Sequence, residues 1–302
     1  GGSGRNGHLS TYEYRLGDTG PKRLPDLTGV TGQRLSELDI DGFAGNHRQR
    51  RGSGRSGRWG DRRGLASDLT AEQEGTLSIA TTHTQARYVL PEVIRAFREL
   101  YPRVDLDLHQ GTSEQIAELI NTNKVDFAIA TGSQHLFPHL TLLPIYRWHR
   151  IALVPRDHPL AQNNKPLDLK TLAEHPLVTY VFSLTGESSF KRAFHDEGLE
   201  PRVVFTARDA DIIKTYVRMG LGVGVIAAMA FECQDQADLV AIDARALFPE
   251  VTTWLGFPRD MVLRGYMVDF IHLLAPHYEV RDIQEVANLN SQQEVCDRLG
   301  DI

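Results

Sequence analysis

The 302-residue sequence contains no run of about 18 or more apolar residues, the length a membrane-spanning helix requires. It also lacks a charged start followed by an apolar stretch, so nothing in it marks a secretory signal and the reading is of a cytoplasmic chain with no membrane role. Cysteine is scarce: Cys233 and Cys296 stand far apart with no CxxC or Cys/His spacing, which argues against a disulfide framework and against structural zinc. GxSxG, HExxH and Walker loops are all missing, so no motif nominates a catalytic chemistry or a cofactor. These absences leave an enzyme as a weaker alternative, and the reading is of a protein that is not an enzyme and holds neither cofactor nor metal.

Two apparent motifs dissolve on inspection. "GLGVGV", 220–225, follows a helical stretch and enters a strand, the reverse of the order that phosphate binding needs, and reads as a helix C-cap with a tight strand entry. His135 and His139 in "HLFPH" are spaced i, i+4, but Pro138 between them breaks the helix a metal pair would require.

Positive charge is scarce in most of the chain. Residues 1–74 carry 12 Lys+Arg against 10 Asp+Glu, whereas 75–302 carry 21 against 29. An acidic body of net −8 does not grip nucleic acid by itself, because phosphate neutralisation supplies most non-specific affinity. Segment 1–64 shows no sustained helical or strand period. Its stretch "HRQRRGSGRSGRWGDRRGL" has seven arginines and five glycines, too little apolar surface to offset the entropy of ordering. The sequence predicts disorder there, either as a solvated tail or as a basic arm that touches nucleic acid.

From about Gly75 the texture changes. "TLSIA" reads as a buried strand, "QARYVLPEVIRAFRELYP" as one helix with Ala86, Val89, Val93, Phe97 and Leu100 on a single face, and "RVDLDLHQG" as an alternating strand. "SEQIAELINTNK" and "VDFAIA" add a helix and a strand, completing a βαβαβ pattern. A second set follows the Trp148 region: "RIALVP", "LVTYV", "RVVFTA" and "VGVIA" as strands, with "LKTLAEH", "ESSFKRAFHDEG" and "DADIIKTYVRMG" as helices. Strand "TTWLGFP" and helix "RGYMVDFIHLLAPHY" close the pattern. The fold class is thus α/β with two similar lobes, and ligands of such folds sit in the crevice at the carboxyl ends of the strands.

"IATTHTQARYVLP", 79–91, places Thr81, Thr82, His83, Thr84 and Gln85 at that crevice, between strand and helix. A helix start offers N–H groups without intrahelical partners and a partial positive charge, so it favours anions. No Lys or Arg lies between Thr81 and Ala86, so an anion there would be held by dipoles and hydroxyls. One capping Thr would need only a single such residue. Similar polar groups follow other strands: Thr131 after "VDFAIA", then Ser183, Thr185 and Gly186 after "LVTYV", and Thr206 ahead of Asp209.

Taken together, "GTLSIATTHTQARYVLP", "VDFAIAT", "DHPLA", "PLVTY", "DADIIKTYVRMGLGVGVIA" and "RGYMVDFIHLLAPH" resemble the effector-binding domain of LysR-type transcriptional regulators, and within them the CysB-like branch of cysteine-regulon activators. The resemblance runs from about Leu65 to the C-terminus. It implies two Rossmann-like subdomains joined by two crossovers, as in periplasmic binding proteins: 75–147 with 252–279, and 148–251, followed by a tail at 280–302. It implies an inter-lobe pocket for a small effector such as sulfate, thiosulfate, O-acetylserine or N-acetylserine. Carried over by motif, the ligand contacts are Thr82, Thr84, Gln85, Thr131, Trp148 and Thr185. The resemblance also implies a homo-dimer or tetramer. Promoter DNA is a partner only where an intact winged helix-turn-helix exists, and 1–64 shows no such pattern, while 65–74 resembles the end of a linker helix. Out-of-frame translation upstream of Leu65 would yield such Arg/Gly-rich text, and translating the other two frames is the check. A small-anion or amino-acid binding protein without a DNA role is the alternative reading.

Overall fold

The computed structural model describes residues 74–299, apart from 133, 163, 164, 186, 187 and 290. The segment 1–64 and the linker end up to residue 73 lie outside the described residues.

The first lobe begins with β1 (Gly75–Thr81), α1 (His83–Tyr88), α2 (Leu90–Leu100), β2 (Val104–Gln110), α3 (Ser113–Asn121), β3 (Phe127–Thr131) and β4 (Leu140–Trp148). The chain crosses at His149 and builds the second lobe from β5 (Arg150–Pro155), α4 (Leu169–Ala173), β6 (Leu177–Tyr180), α5 (Ser189–Asp196), β7 (Val203–Ala207), α6 (Ala210–Arg218), β8 (Val223–Ala227) and β9 (Leu239–Asp243). It then returns to the first lobe as β10 (Val251–Pro258), α7 (Gly265–Leu274), α8 (Val280–Val286) and α9 (Gln292–Leu299). The sheets run β2-β1-β3-β10-β4 and β7-β6-β8-β5-β9. In each, three strands are parallel and the returning strands, β10 and β5, pair antiparallel on both sides. This is the two-lobed α/β architecture with two crossovers that the sequence predicts.

Apolar residues on both faces of each sheet explain the layering. Phe97, Phe127, Phe257 and Phe270 are fully buried in the first lobe, and Phe190, Phe194 and Phe248 in the second. Helices α3, α4, α5 and α6 start on Thr112, Asp168, Ser188 and Asp209, each of whose side chains accepts a first-turn N–H. In "GLGVGV", Gly220 adopts φ +75° just past α6, and a Cβ on Gly222 would stand 2.3 Å from the Pro176 carbonyl oxygen.

Four features depart from the sequence reading. The single helix expected over "QARYVLPEVIRAFRELYP" is two helices broken at Val89, because Pro91 cannot continue a helix and instead enters the first turn of α2. Leu100, expected on the buried face, is 45 % exposed. Strand β4, which contains Pro144, is absent from the sequence reading. It lies on a sheet edge, opposite a register shift at Thr253/Trp254, and both settings tolerate proline.

The expected tail beyond 279 instead folds back as α8 and α9, burying Ile283, Val286 and Val295 against the first-lobe core. Gln292 Oε1 accepts from Leu142 N–H and its Nε2 donates to the Leu142 carbonyl, both at 2.9 Å. This side-chain amide imitates a further strand along the edge of β4. Gln292→Ala should lower stability by about 1–2 kcal/mol in urea unfolding, since two half-buried backbone groups lose their partner.

Candidate functional site

The site is built around the short helix α1. Thr82 occupies the N-cap position in an extended conformation, but its side chain makes no capping hydrogen bond, so the simple capping role is not the one it plays. Thr84 and Gln85 are buried, at 7 % and 1 % exposure. The Gln85 amide turns into the first lobe: Nε2 donates to Thr131 Oγ1 at 3.2 Å and to Thr253 Oγ1 at 3.5 Å, while Oε1 accepts from the buried Tyr146 hydroxyl. The Thr131 and Thr253 hydroxyls are 2.9 Å apart. Of the residues singled out in the sequence, Gln85 and Thr131 are thus brought together, bonded to each other, and fasten α1 onto β3, β4 and β10.

Thr84 faces the other lobe, where its hydroxyl meets that of Tyr180 at the end of β6. The Tyr180 oxygen also accepts from Ala227 N–H at 3.2 Å. Burial pushes the Tyr180 phenol up to about 12, so it stays protonated at neutral pH. Trp148, at the end of β4, is 5 % exposed and its Nε1 has no hydrogen-bond partner. The Thr81 hydroxyl, at the end of β1, is also buried without a partner. Thr185 sits on the exposed rim, its hydroxyl donating to the Phe182 carbonyl at 3.3 Å. Buried donors left unpaired are costly and rare in folded proteins, so two of them on strand ends of this crevice mark a place for an acceptor.

Arg150, the first residue of β5, has no place in the sequence reading. It is 2 % exposed, and Nη1 donates to Ser189 Oγ at 3.0 Å in the first turn of α5. Nε has no partner, and the guanidinium lies over the Trp148 ring at 5.4 Å and the Phe248 ring at 5.8 Å. Burial pushes its pKa down to about 10, which leaves it charged at neutral pH. The signal available in the sequence was a single Arg opening the otherwise apolar "RIALVP" beside Trp148.

The far end of α1 is bolted to the second lobe. Tyr88 donates to Asp211 Oδ1 at 2.7 Å, and Arg87 pairs with Asp211 at 3.5 Å and Glu232 at 3.3 Å. Behind them Lys214, 2 % exposed, pairs with Asp235 at 2.8 Å, which in turn accepts from Arg218 at 2.7 Å. His83 Nδ1 is 3.2 Å from Gln110 Oε1. Ligating atoms of His83, Asp209 and Asp211 all lie within 4.8 Å of one another, which makes these the residues that could hold a metal ion among those described. Asp211 is already engaged by Tyr88, Arg87 and Lys214, and Asp209 by the Ile212 N–H, so the group acts here as an inter-lobe contact.

No helix of the described residues is long and apolar enough to cross a membrane. Comparison with known proteins places this geometry. Residues 70–279 match the LysR substrate binding domain. The chain is 44 % identical over 233 residues to the HTH-type transcriptional regulator cbl of Escherichia coli, covering 77 % of this chain and 73 % of that one. It is likewise 44 % identical to the HTH-type transcriptional regulator CysB of Haemophilus influenzae, covering 77 % and 72 %. The crystal structure of the cofactor-binding domain of the Cbl transcriptional regulator superposes with a TM-score of 0.67 at 44 % identity, covering 72 % of this chain and 95 % of that one. The chain belongs to the LysR family of transcriptional regulators, and residues 70–279 are its substrate-binding domain.

Proposed function

We propose that this chain is a cytoplasmic sensor-regulator of sulfur assimilation and cysteine biosynthesis that binds a small effector in its inter-lobe crevice. The effector is sulfate, thiosulfate, O-acetylserine or N-acetylserine. The observation that carries the reading is the pair of buried, partnerless donors, Thr81 Oγ1 and Trp148 Nε1, at the crevice ends of β1 and β4. Its similarity to CysB and Cbl regulators supports the choice of effectors and of a homo-oligomer. An effector gripped by both lobes favours their closed arrangement, and α1 passes that preference on because Thr84 and Tyr88 each touch the second lobe.

Calorimetry of the full chain with the four effectors tests the reading. Saturable binding of one or more supports it, and no binding of any rejects it. Thr84→Ala should weaken binding of N-acetylserine by about 1–3 kcal/mol through loss of one buried hydrogen-bonding group. A second reading, a small-anion binding protein without a DNA role, is favoured by the acidic balance of residues 75–302, 21 Lys+Arg against 29 Asp+Glu. A gel shift at stated salt on a sulfur-gene promoter separates the two, because only the regulator retards DNA.

A further inference from the structure

We infer that the imidazole pair of His158 and His175, at the end of the second lobe remote from the crevice, is a proton-operated catch. It holds the turn after β5 closed while His158 is neutral and releases it on acidification, with no part played by an effector.

The chain leaves β5 through His158 and a 3-10 turn, Pro159–Gln162, that carries Leu160 into the second-lobe core to 7 % exposure, in the same cluster as Leu172 of α4. Strand β5 runs antiparallel to β8, which is parallel to β6, so β5 ends on the side of the sheet opposite their carboxyl ends. The turn therefore lies outside the crevice. Its backbone closes through His158 N–H to the Pro155 carbonyl at 3.1 Å and Ala161 N–H to the His158 carbonyl at 2.9 Å. The Leu160 N–H is held by a ring atom instead, donating to His158 Nδ1 at 3.2 Å. An accepting Nδ1 needs its lone pair, so the ring is neutral with its proton on Nε2. A proton added to Nδ1 makes it a donor facing a donor. The ring must then swing out, and the Leu160 N–H loses its partner.

His175, just beyond α4, presents its ring at 61° to that of His158, with centroids 5.1 Å apart. Two imidazolium charges at that separation repel, so a proton on one ring opposes a proton on the other. The second charge acting on His158 is Asp157, exposed on its own turn, which favours protonation. Burial of the ring, and then His175, outweigh it and hold the His158 pKa below its ordinary 6.5. Of the neighbouring ions in the chain, Arg156 is turned to the Gln236 and Ala237 carbonyls, at 3.1 Å each, and Glu174 is exposed. A histidine depressed in the closed turn is protonated more readily once the turn is open. Its hold is complete above about pH 6.5 and is lost as pH falls toward the folded-state value.

Hydrogen exchange of the effector-free full chain at pH 7.5 and pH 5.5, corrected for intrinsic exchange rates, tests this in the segment 156–162. Protection there should fall by about three- to tenfold at the lower pH, tenfold being the ceiling for a group of pKa about 6.5 in the opened turn. Reading the turn itself separates the effect from His277 in the first lobe, whose pKa desolvation also lowers. His158→Asn should keep its protection within about twofold between the two pH values, because the Asn Oδ1 accepts the Leu160 N–H without titrating. His175→Asn should shrink the wild-type loss, since the opposing charge is gone. Wild-type protection equal at both pH values overturns the inference, as does a His158→Asn chain that loses as much as wild type, or a loss undiminished in His175→Asn. Should the His158 variant not fold, the His158 ring proton signal of the wild-type chain is followed by NMR. A midpoint below 6.5 is expected, and one at or above 6.5 overturns the catch.

Discussion

Asp235→Ala should destabilise the chain by about 3–5 kcal/mol at pH 7, the usual cost of removing one partner of a buried ion pair. Asp235 and Lys214 are each 2 % exposed, and the carboxylate also receives the Glu232 N–H at 2.9 Å and Arg218 at 2.7 Å. Removing it leaves the Lys214 ammonium with the Ala230 carbonyl and two more exposed carboxylates, Asp211 at 3.2 Å and Glu232 at 3.7 Å. The same residue predicts an acid limb. Burial pushes the Asp235 carboxyl up, but the hydrogen bonds from Lys214, the Glu232 N–H and Arg218 outweigh it and hold it below its ordinary 3.8. A carboxyl depressed in the folded state stabilises above its unfolded pKa and stops doing so as pH falls through its folded one. Wild-type stability should therefore drop below about pH 4, and Asp235→Ala should flatten that drop. Urea unfolding at pH 7 and pH 3 measures both. A variant within 1 kcal/mol of wild type at pH 7 would show that the two remaining carboxylates suffice for Lys214.

Gln85→Ala should cost about 2–3 kcal/mol and abolish effector binding together. The amide is the shared partner of Tyr146, Thr131 and Thr253, and without it the buried Tyr146 hydroxyl is left with the Thr253 hydroxyl alone. Thr131 and Thr253 keep each other, which limits the loss. With its fastening gone, α1 no longer presents Thr82 and Thr84 at fixed positions, so thermal melting and calorimetry should report the two losses in parallel. Binding lost with the melting temperature unchanged would mean that Gln85 meets the effector itself. Gln85→Glu should recover only part, because a carboxylate accepts from Tyr146 but cannot donate to Thr131.

The lobes were legible because strand and helix periods alternate cleanly from Gly75 onward, and β1 and β3 end in Thr81 and Thr131. What stayed hidden has local causes. Pro144 masked β4, since its tolerance at an edge bulge depends on pairing with β10, which is distant in sequence. Helices α8 and α9 read as a tail because they place only Ile283, Val286 and Val295 in the core. Within the site, "TTHTQ" announced itself by five consecutive polar residues, yet spacing could not say that Gln85 faces inward and Thr84 faces the second lobe. Arg150 was silent because its meaning comes from Ser189, 39 residues away, and from Phe248 further on. A lone arginine becomes informative only once the fold shows what surrounds it.

The break at Val89 decides how motion divides. Pro91 denies α2 the backbone bond that would fuse it to α1, so only the Val89 N–H, bonded to the Gln85 carbonyl at 3.1 Å, ties off the shorter helix. A continuous rod would drag the Phe97 side of the first-lobe core with every swing of its neighbour, and a packed core resists such strain. The six residues of α1 can instead tilt as a rocker, with its fulcrum at the Gln85 amide and its load at Tyr88 and Arg87. A shift at Thr84 is then delivered to Asp211 and Glu232 without unsettling the scaffold that supports it.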